Sequence, residues 1–327
     1  MLSNQFADAH ASAKNLSSKV VPFNIDYLDD VARGIYPTDV VLISAATGAG
    51  KTHIASVMAE RSARAGKRVG FFALEAHRLE IEQRILFREM AAYCREHEVR
   101  PPGFGYSSYM YNPGVWDGLA SVGAKRLTDA LGGRLNMHYG GSSFTPADVK
   151  SSFDACRGHV DLLVLDHLHF LNLDARNENG HMKAALKAIR DSALSMEVPI
   201  IVVAHLRKRD GKSKSLLPSI DEIHGSSDIS KIATKAVVLA PAPTLSRSAP
   251  KMAPTLMQVT KDRIGGTSSY AAKVEFDMES QSYAPGYRVM KLRENNTEAS
   301  LVEEHKLPYW ARKGTGVYSA PQGMLGI

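Results

Sequence analysis

Between residues 40 and 204 the chain alternates short, almost unbroken apolar runs with longer segments of mixed character. The runs are VVLIS at 40–44, VGFFAL at 69–74, LLVLD at 162–166 and IIVVA at 200–204. A strand covered on both faces must place apolar side chains both ways. Runs without polar alternation therefore predict the mainly parallel, twisted sheet of an α/β layered fold. Helix-length segments between them, such as 52–65 and 182–196, predict the flanking helices, and the second puts Ala185, Ala188, Ile189 and Ser192 on one stripe.

After the Pro-rich PAPTLSRSAP, residues 256–260 and 272–276 predict a C-terminal β-hairpin that completes the sheet. Residues 100–117, RPPGFGYSSYMYNPGVWD, concentrate Pro, Gly and Tyr and predict a loop or ordered excursion between two helices, with no chemistry assigned. Residues 3–18 predict a short helix with little apolar surface of its own. Beyond Tyr287 the periodicity is weak and no element is assigned. The resulting division is an N-terminal linker or docking segment at 1–22, one core domain at 23–285 and a C-terminal tail at 286–327.

Composition narrows this picture only modestly. With 327 residues and 44% hydrophobic content, one large core is the expected organisation. A net charge of +6 permits an anionic partner without requiring one. Two cysteines, Cys94 and Cys156, form neither a disulfide framework nor a metal-ligand spacing and suit a reducing cytosol. No signal peptide and no uncharged apolar run of about 18 residues is present, so no membrane span is expected and a cytoplasmic location follows.

The strongest chemical signal is Ala45-Ala46-Thr47-Gly48-Ala49-Gly50-Lys51-Thr52, placed between a strand and a helix. Residues 46–52 would cradle the phosphates of ATP. Glycines 48 and 50 let successive backbone N–H groups curl around the anion, Lys51 adds a mobile charge, and Thr52 offers a hydroxyl to Mg²⁺. Asp166 ends the LLVLD run and would emerge beside that loop to hold the same Mg²⁺. Glu75, after the strand VGFFAL, would orient and deprotonate the attacking water. His167 and His169 alternate in HLHF; if the strand continues they point opposite ways, and no metal site is expected from them.

FFALE, VLDHLHFL, VPIIVVAHLRKR, GSSDI and VTKDRIGG occur here in the order seen in DnaB-type and phage ring helicases. From about Asn24 to Asp277 the chain resembles the RecA-like P-loop motor domain of that family. The resemblance implies a catalytic base at Glu75, a Walker B aspartate at Asp166 and a γ-phosphate sensor at His205. It further implies that Lys261 and Arg263 reach into a neighbouring subunit's ATP site, where an arginine stabilises the transferring phosphoryl group. Gly225, Ser226 and Ser227 resemble a segment before a channel-lining helix, whose N–H groups would hold DNA phosphates.

Directly after His205 comes LRKRDGKSKS, with Arg207, Lys208, Arg209, Lys212 and Lys214 against Asp210 alone. A basic loop without aromatics would track the backbone of single-stranded DNA and bind it in a salt-sensitive, sequence-tolerant way. The expected partners are single-stranded DNA, further copies of the chain in a hexameric ring, and a separate primase or loader, in a bacterial or phage-infected cell. The expected activity is an ATP-dependent replicative DNA helicase, with 5′ to 3′ polarity implied by the resemblance alone. Two other readings stay open: a RecA- or RadA-like recombination ATPase that forms filaments, and a regulatory or loader ATPase that grips nucleic acid without processive unwinding.

Overall fold

The computed structural model describes residues 2–46, 48–99, 101–140, 144–171, 178–206, 215–222, 226–265, 269–293 and 297–312. In chain order the helices are α1 (Leu2–Ser18), α2 (Asp26–Ala32), α3 (Lys51–Arg64), α4 (Arg78–Glu96), α5 (Tyr106–Tyr111), α6 (Asp117–Leu131), α7 (Pro146–Ala155), α8 (Glu178–Met196) and α9 (Ser226–Ile232). The strands are β1 (Val40–Ala45), β2 (Val69–Ala73), β3 (Leu135–Tyr139), β4 (Leu162–Asp166), β5 (Ile200–His205), β6 (Lys235–Pro241), β7 (Met252–Asp262), β8 (Tyr270–Asp277), β9 (Ser282–Tyr283), β10 (Arg288–Leu292) and β11 (Ala299–Leu301). Ten of them follow the order β11-β10-β8-β7-β6-β1-β5-β4-β2-β3, and β9 pairs with β8.

From β6 to β3 the neighbours run parallel, and from β6 to β11 they run antiparallel. All four apolar runs became strands of the parallel half, because each lies between two helical layers. In β1, Val41, Ile43 and Ala45 enter one core with Ile54 and Met58 of α3, while Val40 and Leu42 enter the other with Ile189 of α8. Full burial of an aliphatic side chain contributes about 1.5–3 kcal/mol, so six consecutive buried residues anchor β1 firmly at the centre.

β7 and β8 form the expected hairpin. The sheet also runs past residue 285: β10 pairs with β8, and β11 with β10, so part of the stretch read as a tail belongs to the sheet. The excursion at 100–117 is ordered among its described residues. α5 and a 3-10 turn at Pro113–Trp116 bring Tyr109 and Trp116 onto Phe87 and Met90 of α4, a small aromatic core of its own. α1 is helical as expected and largely exposed, with Phe6 71% exposed. No helix among the described residues is long and apolar enough to cross a membrane.

Candidate active site

Parallel strands deliver their C-terminal ends to one edge of the sheet, and backbone amides and polar side chains gather there. Ala45 at the end of β1 is in register with His205 at the end of β5, and Ala73 of β2 with Asp166 of β4. The loops leaving these strands surround a cleft of about 490 Å³ lined by residues 48–53, Glu75, His167 and His205.

The phosphate loop bends through two left-handed residues, Gly48 (φ 77°) and Gly50 (φ 87°). No atom outside the neighbouring residues lies within 4 Å of a Cβ built at Gly48, so backbone conformation rather than space demands glycine there. Gly50 caps α3, which leaves the unpaired N–H groups of the first turn facing the cleft. Lys51 is 4% exposed, and its Nζ donates to the carbonyls of Ala45 (3.1 Å) and Ala46 (3.2 Å). Burial holds this ammonium below the usual lysine range, with Glu75 and Asp166 pulling the other way. A lysine stabilised by neutral carbonyls beside exposed N–H donors favours the arrival of an anion.

The acidic side of the cleft lies opposite. The Thr52 hydroxyl donates to Asp166 Oδ1 at 3.2 Å. Asp166 is fully buried, and its Oδ2 has no hydrogen-bond partner among the described residues. A buried carboxylate oxygen without a donor, next to a threonine hydroxyl, is an oxygen set that fits a hard divalent cation such as Mg²⁺. Glu75 is exposed at the cleft wall, and its Oε2 lies 2.9 Å from His167 Nε2 and 3.5 Å from His205 Nε2. His167 Nε2 also lies 3.0 Å from Asp166 Oδ1 and 3.2 Å from Thr52 Oγ1. Carboxylates only accept, so Nε2 of His167 bears a hydrogen. Burial, then His167 and Lys51, push the His205 imidazole down to about 4, which keeps it neutral near pH 7.

The structure therefore brings Lys51, Thr52, Glu75, Asp166 and His205 to one place. It does not bring Lys261 or Arg263 there. Lys261 pairs with Ala236 of β6 and Asp262 with Lys235, which faces Val41 near the start of β1. These residues thus sit at the opposite edge, separated from the phosphate loop by the length of β1, roughly 3.3 Å for each residue. Arg263 is exposed there and donates to the carbonyl of Lys231 at 2.8 Å. Thr47, residues 207–214 with Arg207, Lys208, Arg209, Lys212 and Lys214, and Gly225 lie outside the described residues. α9 begins at Ser226, and Ser227 follows in its first turn.

One expectation needs correction. β4 stops at Asp166 and the chain turns into a 3-10 helix at Leu168–Phe170, so strand alternation does not carry on through HLHF. His167 and His169 both gather around His205: the His167 ring stacks on it at 4.4 Å, and His169 Nδ1 accepts from its backbone N–H at 3.2 Å. Glu75, His167 and His205 place one ligand atom each within 4.8 Å of one another. In the sequence, the signal for this placement is the adjacency of His167 to Asp166 at the end of β4.

Residues 21–101, which hold the phosphate loop and Glu75, match the family model described as DnaB-like helicase C terminal domain. The chain is 23% identical over 274 residues to the replicative DNA helicase DnaB of Leifsonia xyli subsp. xyli (strain CTCB07), covering 80% of this chain and 55% of that protein. It thus spans about half the length of the curated relative it matches. Among solved structures, one described as an ATPase domain superposes with a TM-score of 0.66 at 15% identity, over 87% of this chain and 98% of that one. A DnaB-like replicative helicase described with its primase interactions gives 0.65 at 14% identity, over 81% of this chain and 63% of that one. At such identities the structural likeness establishes the fold, a RecA-like core shared with the ATPase domains of DnaB-like helicases.

Proposed function

Proceeding from a chain built on the RecA-like core of DnaB-like helicases, we propose that it is an ATP-driven ring motor that moves along single-stranded DNA and unwinds duplex DNA during replication. One observation carries the reading. The phosphate loop, Thr52, Glu75 and Asp166 share one edge of the sheet, while Lys261 and Arg263 stand at the other. A single copy cannot supply both halves of a phosphoryl-transfer site, whereas copies arranged head to tail can, and such heterologous contacts close into a ring when the rotation between copies closes and extend as a filament when it does not.

In this mechanism the amides of residues 48–52 and the Lys51 ammonium hold the ATP phosphates. Thr52 and Asp166 would hold Mg²⁺, which would supply neutralisation of phosphate charge. Glu75 orients water in line with the terminal phosphorus and takes its proton. Neutral His205 donates a hydrogen bond to the terminal phosphate and, through the chain that follows it, transmits phosphate loss to the basic segment 207–214. Lys261 and Arg263 of the next copy stabilise the charge of the transferring group. Six basic segments around a channel would follow the DNA backbone, with 225–227 adding N–H donors.

The test is unwinding of forked DNA carrying either a 5′ or a 3′ tail. ATP-dependent unwinding of the fork with the 5′ tail, abolished by Lys51→Ala, is expected. ATP hydrolysis stimulated by DNA without strand separation on either fork would contradict the helicase reading and leave the loader reading.

A further inference from the structure

Glu75, His167 and His205 come from three different strand ends and are not all needed to hold a hard cation. Their ligand atoms nevertheless converge. Glu75 Oε2 lies 2.9 Å from His167 Nε2 and 3.5 Å from His205 Nε2, and all three atoms fall within 4.8 Å. A tetrahedral zinc ion with bonds of about 2.0–2.1 Å separates its ligands by roughly 3.3 Å, and the two edges from Glu75 Oε2 bracket that value.

We propose that Glu75, His167 and His205 form a binding site for a borderline-soft divalent ion of the Zn²⁺ class, beside the oxygen site of Thr52 and Asp166 and chemically different from it. Two imidazoles and a carboxylate favour such an ion over Mg²⁺, which prefers oxygen donors and keeps much of its water. Three protein ligands leave a fourth position open, and all three line the cleft, so an ion can enter from solvent.

The His205 backbone N–H is tied to His169, and both rings leave buried strands. The two rings stack with 22° between their planes, so one or both must turn for their in-plane Nε2 lone pairs to meet at one ion. The ion takes the Nε2 lone pair of His167, whose hydrogen then resides on Nδ1. It also occupies the Glu75 carboxylate. Where Glu75 is the base for hydrolysis, a consequence that rests on the function proposed above, the ion stops turnover by occupying its carboxylate.

The binding site itself is tested without any activity. The full chain, free of affinity tag and nucleotide, is titrated with Co²⁺ and followed by its visible d–d absorption, and Zn²⁺ binding is then measured by calorimetry. The expected result is one equivalent of four-coordinate Co²⁺, displaced by Zn²⁺. His205→Ala, His167→Ala and Glu75→Gln should each weaken Zn²⁺ by more than the roughly 10- to 100-fold typical of outer-shell changes. His305→Ala, at an exposed histidine, should leave it unchanged. Because His167 is buried, each variant is checked for a cooperative melt, and His205 and Glu75, which are more exposed, decide the matter if His167→Ala does not fold. A tight site that survives in folded His205→Ala and Glu75→Gln, or a folded wild type with no stoichiometric site, overturns the proposal. ATP hydrolysis with Mg²⁺ alone reads the function separately: an active chain without the Zn²⁺ site loses only the site, and an inactive chain with it loses only the ATPase.

Discussion

Lys51 and Lys235 are both buried lysines close to β1, one at each end of it, and they are held in opposite ways. Lys235 is 1% exposed, donates to Asp262 Oδ1 at 2.8 Å and to the carbonyl of Ala32 at 3.2 Å, and has Asp39 at 3.9 Å. Its charge is matched by carboxylates within the fold. Lys51 is as deeply buried, yet among the described residues its nitrogen meets two backbone carbonyls and no carboxylate. The first arrangement closes a structural corner that joins α2, β6 and β7. The second leaves positive charge incompletely neutralised beside open N–H groups, which is the condition for binding an anion.

That contrast generates predictions of different kinds at the two edges. In the proposed assembly the largest effect is expected where the edges of two copies would meet: Arg263→Ala should lower ATP hydrolysis by about 10³-fold or more, the scale of a missing arginine finger, with nucleotide affinity nearly unchanged. Steady-state hydrolysis and fluorescent-nucleotide binding check this, and an unaffected rate would reduce Arg263 to a surface cation capping the Lys231 carbonyl.

Next come the two lysines themselves. Lys51→Ala should lower hydrolysis by about 10²–10³-fold while the melting temperature hardly moves, since no ion pair is lost. Lys235→Ala should do the reverse, removing roughly 3–5 kcal/mol of stability by leaving Asp262 buried without its counter-charge, while the folded fraction keeps its turnover. Denaturant unfolding and hydrolysis per folded molecule separate the two, and interchangeable behaviour would break the comparison.

The smallest effect concerns pH. His53, whose Nε2 meets the Gln281 carbonyl at 2.7 Å, lines the same cleft, and burial followed by Arg88 pushes its imidazole from 6.5 down to about 3. The unfolded chain therefore binds a proton between those values that the folded chain refuses. The contribution is fully present above pH 6.5 and is lost as pH falls, by at most about 1.4 kcal/mol per pH unit. Unfolding free energies measured from pH 7 to 5 should show this slope, and His53→Gln should flatten it; an unchanged slope would mean that His53 takes its proton in the folded state.

The same contrast explains what could be read from the sequence. β1, β2, β4 and β5 were legible because both faces of each are buried and the runs are unbroken. β3 lies at the sheet margin with every other residue exposed, and its LNMHY carries little apolar signal. β6 opens on Lys235, a charge that is unremarkable in sequence and becomes a strand residue only because Asp262 is brought to it by the antiparallel β7. On the cleft side the glycines, Lys51, Thr52, Glu75 and Asp166 announced themselves by their positions at or after strand ends. His167 did not, because its place depends on where β4 stops, a tertiary fact. The position of Lys261 and Arg263 at the far edge likewise follows from strand direction rather than from local pattern.

The central claim is that one copy's phosphate loop works only with the next copy's Lys261 and Arg263. Mixing Lys51→Ala protein with Arg263→Ala protein, each deficient alone, tests it directly, because some interfaces then join an intact phosphate loop to an intact arginine. Hydrolysis well above that of either parent, rising and falling with the mixing ratio, is the predicted result. No gain at any ratio, while light scattering shows that the two variants assemble together, would contradict the account.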